Sequence, residues 1–155
     1  MNEFYIRKIE IKEGLKSALP IAIGYIPIAV AFGILAKTNH VSLIDSFLFS
    51  LMVFAGASQF MALNLLASGV ASFEIILATA IMNFRHFLMS ASISAKIKET
   101  PKSVLPFIAF GVTDETFSVL SMTNKEISAL YTLVVNTTAY MAWIGGTILG
   151  FLAGS

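Results

Sequence analysis

The residues able to act on a ligand gather in two short motifs, Asn83-Phe84-Arg85-His86 and Thr113-Asp114-Glu115-Thr116. Arg85 lies near the middle of the apolar run 75–95, which is long enough to cross a bilayer as a helix. Insertion scales put an arginine at that depth at about 2.5 to 3.5 kcal/mol, so such a cation faces a protein interior or a wet cavity and takes a partner. Two roles fit Arg85: a point on a substrate or ion path, or half of an ion pair that locks two helices. Arg85 stands eleven residues before Lys96, and Asp114 twelve after Lys102. Two antiparallel helices joined between those lysines would bring the opposite charges to nearly the same depth. Pairing Arg85 with Asp114 or Glu115 then avoids an isolated buried ion, and the surplus carboxyl becomes a candidate proton carrier. Asn83 and His86, in the same motif as Arg85, are candidate substrate contacts.

Composition sets the class that must position these groups. The chain has 155 residues, of which 57% are hydrophobic and 12% charged, with a mean hydropathy of +0.83. That is more apolar sequence than the interior of a soluble domain of this size holds, and it predicts an all-α polytopic membrane bundle of about five hydrophobic segments. A net charge of +1, with no cluster of aromatic and basic residues, speaks against a nucleic-acid partner. The absence of cysteine excludes disulfides and thiolate chemistry, and two separated histidines, His40 and His86, do not make a metal site. No metal or cofactor is therefore expected. Asp114, Glu115 and His86 have acid–base capacity, but no nucleophile or metal-ligand motif accompanies them, and no enzyme is expected.

Residues 1–16 read as an amphipathic, cytoplasmic approach to the membrane, and residues 17–155 as the integral membrane domain. Arg7, Lys8, Lys12 and Lys16 precede the first span and favour an N-inside start. That span, 17–36, contains Pro20, Gly24 and Pro27. Each proline removes a backbone donor and crowds the carbonyl four residues back, so a kink or a break is expected and Gly24-Tyr25-Ile26-Pro27 becomes a candidate binding element. The second uncharged stretch carries Phe54-Ala55-Gly56-Ala57-Ser58-Gln59. Gln59 lies about 20 Å in from Asp45 at helical rise and needs a hydrogen-bonding partner there; with Ser58 it is a candidate substrate contact. The segments 75–95, 103–122, broken by Thr113-Asp114-Glu115-Thr116, and 127–155 follow, the last with Asn136, Thr137, Thr138 and the glycines 145, 146 and 150, which suit close helix contact. If every segment crossed once, five Lys/Arg would stand on the N-terminal side, Lys125 included, against Lys37, Lys96, Lys98 and Lys102 opposite. That bias is negligible. A broken or re-entrant second or third segment would return the loop from Lys96 to Lys102 to the N-terminal side, and at least one segment that is not a simple helix is expected.

Together these motifs resemble the AzlC-type large subunit of branched-chain amino acid exporters, the LIV-E family. The resemblance runs through Pro27-Ile28-Ala29-Val30-Ala31-Phe32-Gly33, Val53-Phe54-Ala55-Gly56-Ala57-Ser58-Gln59-Phe60, Asn83-Phe84-Arg85-His86-Phe87-Leu88-Met89, Phe110-Gly111-Val112-Thr113-Asp114-Glu115-Thr116-Phe117 and Gly145-Gly146-Thr147-Ile148-Leu149-Gly150. It implies a multi-pass protein of a prokaryotic inner or plasma membrane, exporting valine, leucine and isoleucine on the proton gradient with a small AzlD-type membrane subunit. Members of that family continue through further hydrophobic segments, so the chain is expected to be a shortened form. A zwitterionic amino acid needs a cation for its carboxylate, an acceptor for its ammonium and an apolar pocket. Arg85, then Asp114 or Glu115, then Phe54, Phe60 and Phe84 supply those types, with Gln59, Asn83 and the Pro27 region as further contacts. The rival expectation is a non-transporting interaction subunit whose buried charges are structural.

Overall fold

A computed structural model of the chain describes residues 3–98, 100–123 and 126–154. Glu99 and Lys125, counted above among the loop charges, lie outside the described residues. The described chain is all-α: α1 (Glu3–Thr38), α2 (Leu43–Met52), α3 (Gly56–Ala67), α4 (Ser72–Ser94), α5 (Leu105–Phe110), α6 (Asp114–Ser121) and α7 (Ala129–Ala153). Two helices, Phe4–Thr38 and Ser72–Ser94, are long and apolar enough to cross a membrane.

The break expected in the first segment is absent: α1 runs unbroken through Pro20 and Pro27, and the residues before Ser17 belong to the same helix. A proline withholds only its own N–H and leaves the rest of the ladder available. Around Pro27 the helix is also held by close backbone contact with α7. A methyl group added at Gly33 would meet the Thr147 carbonyl oxygen, and one at Gly150 the Val30 carbonyl oxygen, so only glycine permits that approach. Breaks fall in the second segment, between α2 and α3, and in the fourth, between α5 and α6, the latter at the Thr113-Asp114-Glu115-Thr116 interruption.

The helices divide between two compact units, Met1–Ile23 with His86–Met141 and Gly24–Arg85 with Ala142–Ser155. In the second unit Phe32 is the core, meeting Phe49 at 5.9 Å and Phe60 at 5.5 Å edge-to-face. Both α1 and α3 end in a left-handed residue, His40 (φ 59) and Gly69 (φ 74). Val41 N–H bonds Ala36 O at 3.0 Å and Val70 N–H bonds Leu65 O at 3.1 Å, the Schellman pattern that turns a chain sharply out of a helix. An apolar groove of about 340 Å³ is lined by Ala36 at the end of α1, Ser46 near the start of α2, Leu66 at the end of α3 and Ile75 near the start of α4. The α2–α3 segment therefore leaves and returns at one end of its unit.

The first unit repeats that pattern. Lys96, just past α4, donates to Ser121 O at 2.6 Å at the end of α6, and Ile97 pairs with Ile127 as a single β-bridge. Ser90 on α4 donates to Ala109 O on α5 at 3.3 Å, so α5 runs beside the helix that precedes it. Segment α5–α6 thus also returns to the end it left.

Gly146 packs on Ala29 and Gly150 on Val30, whereas Gly145 faces open space. Gly150→Ala should destabilise the protein by about 1–3 kcal/mol through overpacking, with Gly145→Ala near neutral; thermal unfolding of the two variants in detergent checks the contrast.

Candidate functional site

The break in the second segment is built from residues without helix-capping side chains. Val53 (φ −121°) and Ala55 (φ −154°) are extended, and Ala55 makes no side-chain cap to α3. The Trp143 ring from α7 lies directly on Gly56, filling the space a Cβ would take. Tyr25 meets Trp143 at 5.2 Å and Phe54 at 5.9 Å, both edge-on. Beneath these rings Gln59 is fully buried. Its Oε1 accepts from Trp143 Nε1 at 2.7 Å and its Nε2 donates to Ser50 Oγ at 3.0 Å. Ser50 and Thr147 share a bond of 2.9 Å, and Thr147 Oγ1 donates to the Trp143 carbonyl at 3.0 Å. Four residues thus form a closed ring of hydrogen bonds, completed through the Trp143 carbonyl, an arrangement that rigidifies what it joins. Ser58 Oγ, also buried, donates back to Ala55 O at 2.9 Å.

The break in the fourth segment is encoded differently. Thr113 caps α6 in a reciprocal box, Thr113 N–H to Thr116 Oγ1 at 2.8 Å and Thr116 N–H to Thr113 Oγ1 at 3.3 Å. Asp114 and Glu115 occupy the first turn of α6, where their charge suits the helix dipole. Gly111 lies flush against Asn136 of α7, whose Nδ2 donates to Ile108 O at 3.0 Å. Asn136 stands seven residues into α7, about 10 Å from its start at helical rise. Asp114 is half-buried and Glu115 exposed.

On α4, Asn83, Arg85 and His86 are half-buried, while Phe84 (60%) and Phe87 (67%) are exposed. The polar members of the motif are thus more covered than its aromatic ones. Asn83 Oδ1 is buried with no hydrogen-bond donor among the described residues, an acceptor open to a ligand N–H.

The expected contacts are therefore distributed as follows. Tyr25, Ser58 and Gln59 come together at the α2–α3 break and are engaged with protein groups. Gly24 and Pro27 are exposed on α1, with nothing near Gly24. Asn83 and Arg85 stand on α4 in the same unit as that break; His86, Asp114 and Glu115 belong to the other unit. Phe54 packs on Tyr25 and Phe60 on Phe32, whereas Phe84 faces outward. Sequence reasoning recognised that Gln59 needs a partner but missed Trp143, Ser50 and Thr147. The only signal was a hydroxyl or indole elsewhere in the chain, nine residues away for Ser50 and 84 for Trp143.

The profile of the AzlC protein family matches residues 20–155. The chain is 40% identical over 145 residues to an uncharacterized membrane protein of Archaeoglobus fulgidus, covering 93% of this chain and 63% of the relative. It is 36% identical over 148 residues to the inner membrane protein YgaZ of Escherichia coli (92% and 60%). It is 26% identical over 162 residues to the branched-chain amino acid transport protein AzlC of Bacillus subtilis (100% and 63%). The chain spans about three fifths of the length of these relatives. No solved structure gives a significant match.

Replacing Gln59 with Leu strips partners from Trp143 Nε1 and the Ser50 hydroxyl together. Buried groups left unpaired cost about 1–3 kcal/mol each, so the melting temperature should fall clearly. Emission from Trp143, the one tryptophan in the chain, should shift with it. Ser50→Ala spares the indole bond and should cost less on both readouts.

Proposed function

The chain belongs to the AzlC family, and from that premise we propose that it is part of a multi-pass transporter of a prokaryotic inner or plasma membrane. Its task in this reading is the export of branched-chain amino acids, coupled to protons and carried out with a small AzlD-type membrane subunit. The observation that carries the proposal is the alignment of the whole chain with the Bacillus subtilis branched-chain amino acid transport protein. The inner membrane location of the Escherichia coli relative supports the compartment.

The architecture supports transport over a purely structural role. Discontinuous helices are the usual means by which transporters expose helix ends and backbone groups to a substrate, and each unit holds one. Arg85 is assigned the substrate carboxylate, because a guanidinium matches a carboxylate fork. Asn83 Oδ1, an unused acceptor, is assigned an ammonium N–H. Asp114 and Glu115 are assigned charge balance and proton movement, with His86 beside Arg85 as a further contact. Gln59, Ser58 and Tyr25 are assigned the shape of the α2–α3 break, because their polar and aromatic groups are already engaged there. Gly24 and Pro27 contribute backbone only.

Cells preloaded with a valine- or isoleucine-containing dipeptide test this reading. Efflux of the freed amino acid should rise when the chain is expressed with its small partner and fall to background with Arg85→Ala at equal membrane abundance. Asn83→Leu should weaken apparent affinity about tenfold or more, the loss expected for one hydrogen bond to a charged group. If Arg85→Ala instead abolishes assembly with the partner, the buried charge is structural and the interaction-subunit reading stands.

A further inference from the structure

Most of the Lys and Arg side chains belong to one unit, interspersed with the acids Glu10, Glu13 and Glu126. Arg7, Lys8, Lys12, Lys16, Lys98 and Lys102 are exposed there, with Lys96 half-buried. The other unit has Lys37, whose ammonium is bonded to the Gly154 carbonyl, and Arg85 in the middle of α4. Within the basic unit, the two described stretches that carry the cations, the start of α1 and the residues after α4, meet the link before α7 at one end. The first turns of α1 and the link before α7 form a common recess of about 580 Å³, with Glu13 and Lys16 on one wall and Thr123, Glu126 and Ser128 on the other. Tyr131 Oη donates to Ser17 Oγ at 2.9 Å at the edge of that recess. The stretch after α4 joins the same end through Lys96 to the carbonyls of Ser121 and Thr123, and through the two backbone bonds between residues 96–98 and Ile127.

This arrangement settles what charge counting alone left balanced. Because α5–α6 returns to the end it leaves, the loop bearing Lys96, Lys98 and Lys102 stands with the N-terminal helix turns and not opposite them. A one-sided excess of Lys and Arg in short loops beside membrane segments marks the cytoplasmic side. The surface is also built for an interface. Phe4 (64% exposed), Ile9, Ile11 and Leu15 (49%) alternate with the cations along α1, and Lys8 Nζ lies 4.6 Å over the Phe4 ring. Apolar side chains among lysines suit the boundary between acyl chains and anionic headgroups.

We propose that this end of the unit is the cytoplasmic face of the protein and that its Arg7 and lysines engage the phosphate groups of anionic lipids in the inner leaflet, with α5–α6 entering and leaving the membrane on that side. The proposal rests on the membrane reading above. The cysteine-free chain allows a clean test with Lys12→Cys, Lys98→Cys and Glu126→Cys, each at an exposed position. In intact cells a membrane-impermeant maleimide should leave all three unlabelled, and it should label all three after permeabilisation. External labelling of Lys98→Cys or Glu126→Cys, or of all three together, overturns the proposal. Release of the protein by alkaline carbonate would overturn the membrane reading itself, so the two failures are distinct. Purified protein should also unfold at a higher temperature in vesicles containing phosphatidylglycerol than in phosphatidylcholine alone. That gain should vanish when Arg7, Lys8, Lys12 and Lys16 are all replaced by Gln, and free inorganic phosphate should not reproduce it. An equal melting temperature in both lipids, or a gain with free phosphate alone, refutes the lipid contact.

Discussion

An irregular backbone in a place without water must have its polar groups covered by protein, and that constraint governs both broken segments of this chain. At the α2–α3 break the cover comes from Trp143 and Tyr25, with Phe54 and Ala55 buried beneath. At the α5–α6 break it comes from Asn136, with Gly111, Val112 and Thr113 all buried. In both cases a glycine of the broken segment lies flush against a large α7 side chain, Gly56 on Trp143 and Gly111 on Asn136.

The two breaks differ in how strongly local sequence enforces them. Thr113 and Thr116 form a complete capping box, so α6 begins where its own residues dictate. Ala55 offers no such cap, and the start of α3 depends on the ring of bonds through Gln59, Ser50, Thr147 and Trp143. Buried polar networks hold their partners in one arrangement when fully satisfied and become costly when one member is lost. The α2–α3 break is thus conditional on tertiary packing, and the α5–α6 break is largely local.

The same comparison explains why the prolines did not break α1. A proline costs a helix one bond and some crowding, about 3 kcal/mol in an interior position. The glycine-lined contact of α1 with α7, through Gly33, Gly146 and Gly150, opposes that local cost with extended backbone packing. In the second segment no proline was needed: two extended residues, Val53 and Ala55, end α2 where the packing of Trp143 on Gly56 makes a turn favourable.

Composition and hydropathy alone determined the helical class, the number of apolar segments and the inward polar motif on α4, because in hydrocarbon only internally bonded backbone is tolerated and a charge is conspicuous. The close-packing glycines 146 and 150 were equally legible, since their effect needs only the smallest side chain. The location of the α2–α3 break, the partners of Gln59 and the end at which the cations gather were decided by tertiary structure. Each depends on groups tens of residues apart: Trp143 on Gln59, Asn136 on Ile108, Lys96 on Ser121. A hydropathy pattern records how apolar a segment is, but not whether it returns to the end it left; that required the contacts that close each segment on itself.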